Sequence, residues 1–257
     1  MSETISSNVL FHFTNSLKII KSILKHGFSP RYCPEYTLDP DDRRAARKRR
    51  PPLHAAPMVC FCDLPLSLIR KHLDKYGKFG IGLTKEWGLR NGVVPVAYTH
   101  SKARTRPYLL RLIAKAAKGG DNAMANDLKL LTAYTKPFRG PEWRKRKRRK
   151  KKDKYNIPFY DEREWRYVPD VAEGERLFLG RKDYRNGSVT DKLHKSLRTE
   201  HALRILPDDI MYLIVPYDRA EKRVLELHKY LKSFYSPRDV ALVTTTIMTD
   251  DCIREDI

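Results

Sequence analysis

Long apolar runs are missing from this 257-residue sequence. None approaches the roughly 20 residues that a bilayer-spanning helix needs, so no membrane association is expected. The opening residues, MSETISSNVLFHFT, lack a basic start, an apolar stretch of signal length and a cleavage site. They read as the start of a cytoplasmic protein. Cysteine is scarce: Cys33, Cys60, Cys62 and Cys252 are the whole set. In a reducing compartment these stay thiols, which excludes a disulfide-built fold. Cys60 and Cys62 face one side of a strand with His54 and Cys33 within reach in sequence, but zinc spacing is normally CxxC, repeated or followed by paired histidines. Two small buried thiols in a core strand fit better, and no metal is expected. There is no GxxxxGK[ST] loop, no GxGxxG after a strand, no Gly-x-Ser-x-Gly elbow and no HExxH, so the common nucleotide-binding, hydrolase and metalloprotease signatures are excluded.

Acidic charge is also in deficit, with 31 Asp and Glu against 52 Lys and Arg, a formal net charge of +21. The surplus is concentrated. Arg144, Lys145, Arg146, Lys147, Arg148, Arg149, Lys150, Lys151 and Lys152 form an unbroken run, and Arg43 to Arg50 adds six more cations. Like charges this dense repel and do not pack, so both stretches read as arms on a mildly basic body. A polyanion is the expected partner, with steep salt dependence and no base readout from the run itself. Phe138, Trp143, Tyr155, Phe159 and Tyr160 flank the longer run and offer stacking faces, which favours single strands.

A 41% hydrophobic chain of this length can bury a substantial core. Val9–Thr14 reads as a strand, followed by Asn15 as a helix cap and a helix burying Leu17, Ile20 and Leu24 up to Gly27. Residues 37–57 read as an exposed loop. Met58–Asp63, Gly80–Thr84, Val93–Tyr98, Glu162–Val168, Ile210–Val215 and Val240–Met248 read as strands. Helices are expected over 65–77, 107–118, 122–134, 190–203 and 219–235. Irregular alternation of the two predicts an α+β fold, not a doubly wound parallel sheet. The expected organisation is a single domain over residues 1–257, with basic insertions at about 37–57 and 139–158.

Two polar features stand out. His12 sits between Phe11 and Phe13, and Thr14 shares its side of the strand. It is either an ordinary core histidine or, with Thr14, a group that bonds a ribose hydroxyl and a carboxamide. Glu162 and Glu164 also share a face if both lie in one strand. Two adjacent carboxylates repel, which can raise one pKa. They suit chemistry with a developing positive charge, such as cleavage of a nicotinamide glycosidic bond. The competing reading is a solvated strand edge where Arg163 and Arg166 pair these acids.

The segments LFHFT, LKIIKSILKHGFSPRYC, MVCFCDLPLSLIRKHLDKYGKFGIGLTKEW, GVVPVAY and YDEREWRYVP resemble the AbiGi family of abortive phage-resistance proteins, over about residues 9–250. The same layout is similar to the histidine-type ADP-ribosyltransferase superfamily. That resemblance implies an ADP-ribosyltransferase-like fold of split mixed and antiparallel sheets with flanking helices, and NAD as co-substrate without a metal. It makes Glu164 the catalytic carboxylate, with Glu162 and His12 beside it in the catalytic set. His12 would hold the adenosine ribose, with the Phe13 backbone holding the nicotinamide amide and Thr14 completing the motif. Phe61 and Ser67 fall on the second motif, and Tyr32 or Tyr76 would supply the aromatic ring where this sequence has Phe61 in place of the usual tyrosine. The function implied is a defence toxin that modifies nucleic acid, RNA before DNA, restrained by a cognate antitoxin protein. AbiGi proteins are also labelled antitoxins, so the alternative is a non-enzymatic antitoxin or nucleic-acid-binding regulator on the same fold. A further alternative is transfer to a protein target.

Overall fold

The computed structural model describes residues 7–36, 53–100, 103–140, 157–171 and 176–255. The chain is α+β, with a mixed sheet and packed helices, and divides into two compact units. The first comprises Met1–Pro30, Val59–Val94 and Lys195–Ile257; the second comprises Arg31–Met58 and Pro95–His194. The basic runs Arg43–Arg50 and Arg144–Lys152 lie outside the described residues.

In the first unit, Val9–Thr14 lies between Phe79–Thr84 and the end of the strand Leu53–Cys62, antiparallel to both. Ile210–Val215 follows antiparallel on Phe79–Thr84, and Ile247–Thr249 closes that side in parallel. Alternation along VLFHFT sends Val9, Phe11 and Phe13 into a cluster with Cys62, Leu64, Ile69, Leu73 and Ile214. Leu10, His12 and Thr14 take the opposite face. Phe11 and Phe13 stand across from Gly82 and Gly80, where a Cβ would come within 2.7 and 3.0 Å of the rings. The bare glycines make room for two aromatic rings on neighbouring positions of one face.

The helix Leu17–His26 buries Ile20, Ile23 and Leu24. Its cap is Ser16, whose hydroxyl accepts from the Lys18 amide, so the expected cap at Asn15 is displaced by one residue. Val240–Met248 is mostly helix, contrary to the strand expected there. Ser236 accepts from the Asp239 amide, Pro237 occupies the first turn, and Val240 and Val243 are buried three residues apart. Only Ile247–Thr249 is extended.

The second unit begins with Arg31–Tyr36, paired antiparallel with the strand Leu53–Cys62 from Arg31 opposite Met58 to Tyr36 opposite Leu53. The expected loop 37–57 therefore gives up its last residues to a strand. Pro34 and Pro57 conceal this pairing in the sequence, because proline cannot donate to a ladder. The helices Thr105–Lys118 and Asn122–Ala133 pack on each other, the second capped by Asp121. Ala97–Thr99 runs parallel to Thr135–Pro137, Arg139–Gly140 pairs with Ile157–Pro158, and Glu164–Tyr167 is a four-residue strand.

Candidate functional site

The second unit contains a buried cluster of charge, built from short pieces of backbone. In the parallel pair Ala97–Thr99 and Thr135–Pro137, Tyr98 sits opposite Lys136. The Val96 amide donates to the Glu164 carbonyl and the Glu164 amide to the Tyr98 hydroxyl, both at 2.9 Å. These bonds fix Glu164 beside Lys136, whose ammonium donates to Glu164 Oε2 at 2.7 Å and to Glu162 Oε2 at 2.6 Å. Arg166, fully buried, donates through Nε to Glu164 Oε1 at 2.7 Å and through Nη2 to Oε2 at 3.2 Å. The same guanidinium reaches Glu35 and the Ala133 carbonyl, each at 2.6 Å. Among these five described residues, three carboxylates face two cations, a formal charge of −1.

Glu162 does not reach this cluster by strand alternation. It ends a 3₁₀ turn, Phe159–Glu162, and the strand starts at Glu164. Arg163 between them has φ 42° and ψ 52°, a left-handed conformation that side chains other than glycine rarely adopt. That kink turns both carboxylates onto one ammonium. Nor is this a solvated edge, since Glu162 and Glu164 are each only 8% exposed.

Mutual repulsion does not set the titration of Glu164. Burial pushes its pKa up, but Arg166 and then Lys136 outweigh that and hold the carboxyl at about 2. Burial works against the Lys136 ammonium as well, and Glu164, Glu162 and Glu35 more than compensate, so its pKa is raised. Burial pushes the Tyr98 phenol up to about 12, so it keeps its proton at neutral pH.

The other residues of the expected catalytic and NAD-binding set lie in the first unit, apart from Tyr32. His12 is half-buried and edge-on to Phe28 and Phe61, at ring distances of 5.1 and 5.9 Å, with Trp87 packed on both phenylalanines. Its Nδ1 is 2.9 Å from the Cys60 carbonyl, which can only accept. Nδ1 therefore carries the proton, and burial lowers the pKa enough to favour the neutral ring. The Nε2 lone pair is left as an acceptor. Thr14 is buried, Phe13 is paired with Gly80 in the ladder, and Ser67 lies exposed on the 3₁₀ turn Leu66–Leu68. Tyr32, in the second unit, is buried, with its hydroxyl donating to the Arg176 carbonyl and its ring against His194.

Residues 26–216 match the family model described as "Putative abortive phage resistance protein AbiGi, antitoxin". This chain belongs to the AbiGi family. It is similar to the abortive phage resistance protein AbiGi of Lactococcus lactis subsp. cremoris, with 28% identity over 251 residues, which are 90% of this chain and 99% of that protein. No solved structure matches it.

The AbiGi match spans every member of the charge cluster and the aromatic residues Phe28, Phe61 and Trp87, and begins after His12. Lys136, Tyr98 and Glu35 were not legible as site residues, because each lies in an unremarkable segment far along the chain from Glu164. Arg166 was legible as a partner of the acids through its spacing in EREWR.

Proposed function

We propose that this chain is the NAD-dependent ADP-ribosyltransferase of an abortive phage-defence system, and that it modifies nucleic acid, RNA before DNA. The observation that supports this reading is the Glu164 cluster. Lys136, Glu162, Glu164 and Arg166 are held largely out of water and cost several kcal/mol each to desolvate, and apolar residues of similar volume would hold the strands as well. A site that keeps such a cluster, with one carboxylate ionised at every physiological pH, fits a demand for fixed negative charge. Cleavage of NAD makes that demand. The bond from the nicotinamide nitrogen to ribose C1′ breaks, its electron pair leaves with nicotinamide, and the ribose becomes cationic. Glu164 stabilises that cation; a base amine then bonds to C1′ and releases its proton to water.

A second reading is favoured by two observations. Both Glu164 oxygens are already bonded to cations, and the matching family description carries the word antitoxin. On that reading the protein is a non-enzymatic regulator that binds a partner protein or nucleic acid.

The experiment incubates the purified protein with NAD labelled in its adenylate phosphate, together with RNA, single-stranded DNA and cell extract. Glu164→Gln is run in parallel. Label is expected on nucleic acid, reduced by about 10²–10³-fold in the variant, the usual loss when a preorganised electrostatic group is removed. Label on protein alone would keep the enzyme and change its target. Intact NAD in every reaction would leave the regulator.

A further inference from the structure

The strand Arg31–Tyr36 is a sheet edge. It pairs with Leu53–Cys62 on one side, and among the described residues no strand pairs on the other. An open edge presents main-chain donors that need a partner or need to be removed. The Tyr32 amide is not spent on the pairing with Leu53–Cys62: it donates to Nε2 of His194 at 3.1 Å. Amides alternate between the two edges of an antiparallel strand, so the next one on this outer edge belongs to Pro34, which has no N–H to offer. The outer edge is thus closed by a proline at one position and by a histidine at the other.

The two closures differ chemically. The proline is permanent. An amide nitrogen can only donate, so His194 accepts through an unprotonated Nε2, and its neutral ring carries the proton on Nδ1. A second proton has to go to Nε2, where it would set N–H against N–H. His194 is half-buried on the helix Gly187–Glu200, with its ring 5.9 Å from that of Tyr32. The charged groups acting on it among the described residues are Arg31 from the strand and Asp191 from its own helix. Burial, and then the Arg31 charge, lowers its pKa from the ordinary 6.5, and Asp191 opposes them. All of these groups lie in the second unit.

We propose that His194 is a proton-operated cap on this edge strand: the neutral ring holds the Tyr32 amide and the protonated ring releases it. The same strand carries Glu35, whose carboxylate bonds Arg166. The cap therefore braces the piece of backbone that supplies one of the three carboxylates of the charge cluster. Because the folded pKa is lowered, the hold is complete above about pH 6.5 and is lost as the pH falls through the folded value. None of this requires NAD or the transferase reading.

The test follows hydrogen exchange of the Tyr32 amide by NMR in the full chain, corrected for the intrinsic rate, between about pH 7.5 and about pH 5. In the parent, protection should fall by about five- to tenfold across that range, the worth of one hydrogen bond. His194→Gln keeps an acceptor near the position of Nε2 and cannot titrate, so it should hold its protection at both ends. His194→Leu offers no acceptor; it should be about five- to tenfold less protected than the parent at the upper pH and lose nothing further at the lower one. A loss in His194→Gln equal to that of the parent, or full protection in His194→Leu, overturns the proposal. Nitrogen-15 spectra of the His194 ring give an answer that needs no variant: Nε2 should carry no hydrogen at the upper pH, and a neutral ring with its hydrogen on Nε2 overturns the proposal as well.

Discussion

Arg166→Met should destabilise the second unit by about 3–5 kcal/mol, the usual cost of leaving a buried charge uncompensated. Arg166 is wholly inaccessible to solvent and bonds Glu164, Glu35 and the Ala133 carbonyl. Without it, three carboxylates face one ammonium. Glu164→Gln should cost on the order of 3 kcal/mol at neutral pH, at or below the lower end of that range, because the carboxylate bonded to both cations is gone. It removes the excess negative charge, leaving Glu35 to pair with Arg166 and Glu162 with Lys136. The double variant should recover part of the Arg166→Met loss, because it returns the cluster to its starting charge; an interaction energy near zero in that cycle would mean the two groups are not coupled. Urea unfolding of the four proteins gives the ranking.

The same pair predicts the acid response. Glu164 is depressed from 4.5 to about 2. A carboxyl with a lowered folded pKa contributes its stability above the unfolded value and loses it as the pH falls through the folded one. The contribution is therefore complete near neutrality and fades between about pH 4.5 and 2, by something on the order of 3 kcal/mol. Unfolding free energy measured from about pH 5 downward should fall more steeply in the parent than in Glu164→Gln. Parallel curves would show that the pair does not govern acid stability.

How much of this was legible in the sequence depends on where each constraint sits. Val9–Thr14 and Ile210–Val215 could be placed to the residue, because short runs rich in β-branched and aromatic residues, bounded by polar residues, leave no competing register. Val240–Met248 failed because its β-branched content argues for a strand while the cap at Ser236 and Pro237 argues for a helix, and the local cap prevailed. The strand Arg31–Tyr36 failed because its partner lies across a gap in sequence and both carry proline. The candidate site divides in the same way. Glu162 and Glu164 announce themselves within one phrase, and so does Arg166. Their shared ammonium, Lys136, lies 26 and 28 residues earlier in an ordinary TKP. Only the chain fold brings it there, and without it the two acids read as a repelling pair instead of a neutralised one. The left-handed turn at Arg163 was likewise hidden, since nothing about arginine favours that conformation.

Gly77→Ala should be strongly damaging to the first unit, at about 3–5 kcal/mol when backbone strain and overpacking are combined. Gly77 follows the helix Arg70–Tyr76 with φ 134° and ψ 156°, a region that residues with a Cβ essentially do not enter. A Cβ there would stand 2.3 Å from the carbonyl carbon and oxygen of Thr14 and 2.6 Å from the Asn15 nitrogen. These are main-chain atoms at the end of the strand carrying His12, and they cannot rotate aside as a side chain would. Relief would have to come from moving that strand end or the helix that ends at Gly77. Gly120→Ala is the matched control: its φ is also positive, at 79°, but a Cβ there meets nothing within 4 Å, so only the conformational cost of about 1–2 kcal/mol applies. Chemical unfolding of the two variants should therefore differ by a factor of two or more in destabilisation. Hydrogen exchange should show the amides of Val9–Thr14 losing protection in Gly77→Ala alone. Equal, small losses in both would mean that the helix end yields easily, and that the strand bearing His12 is not braced by the backbone at Gly77.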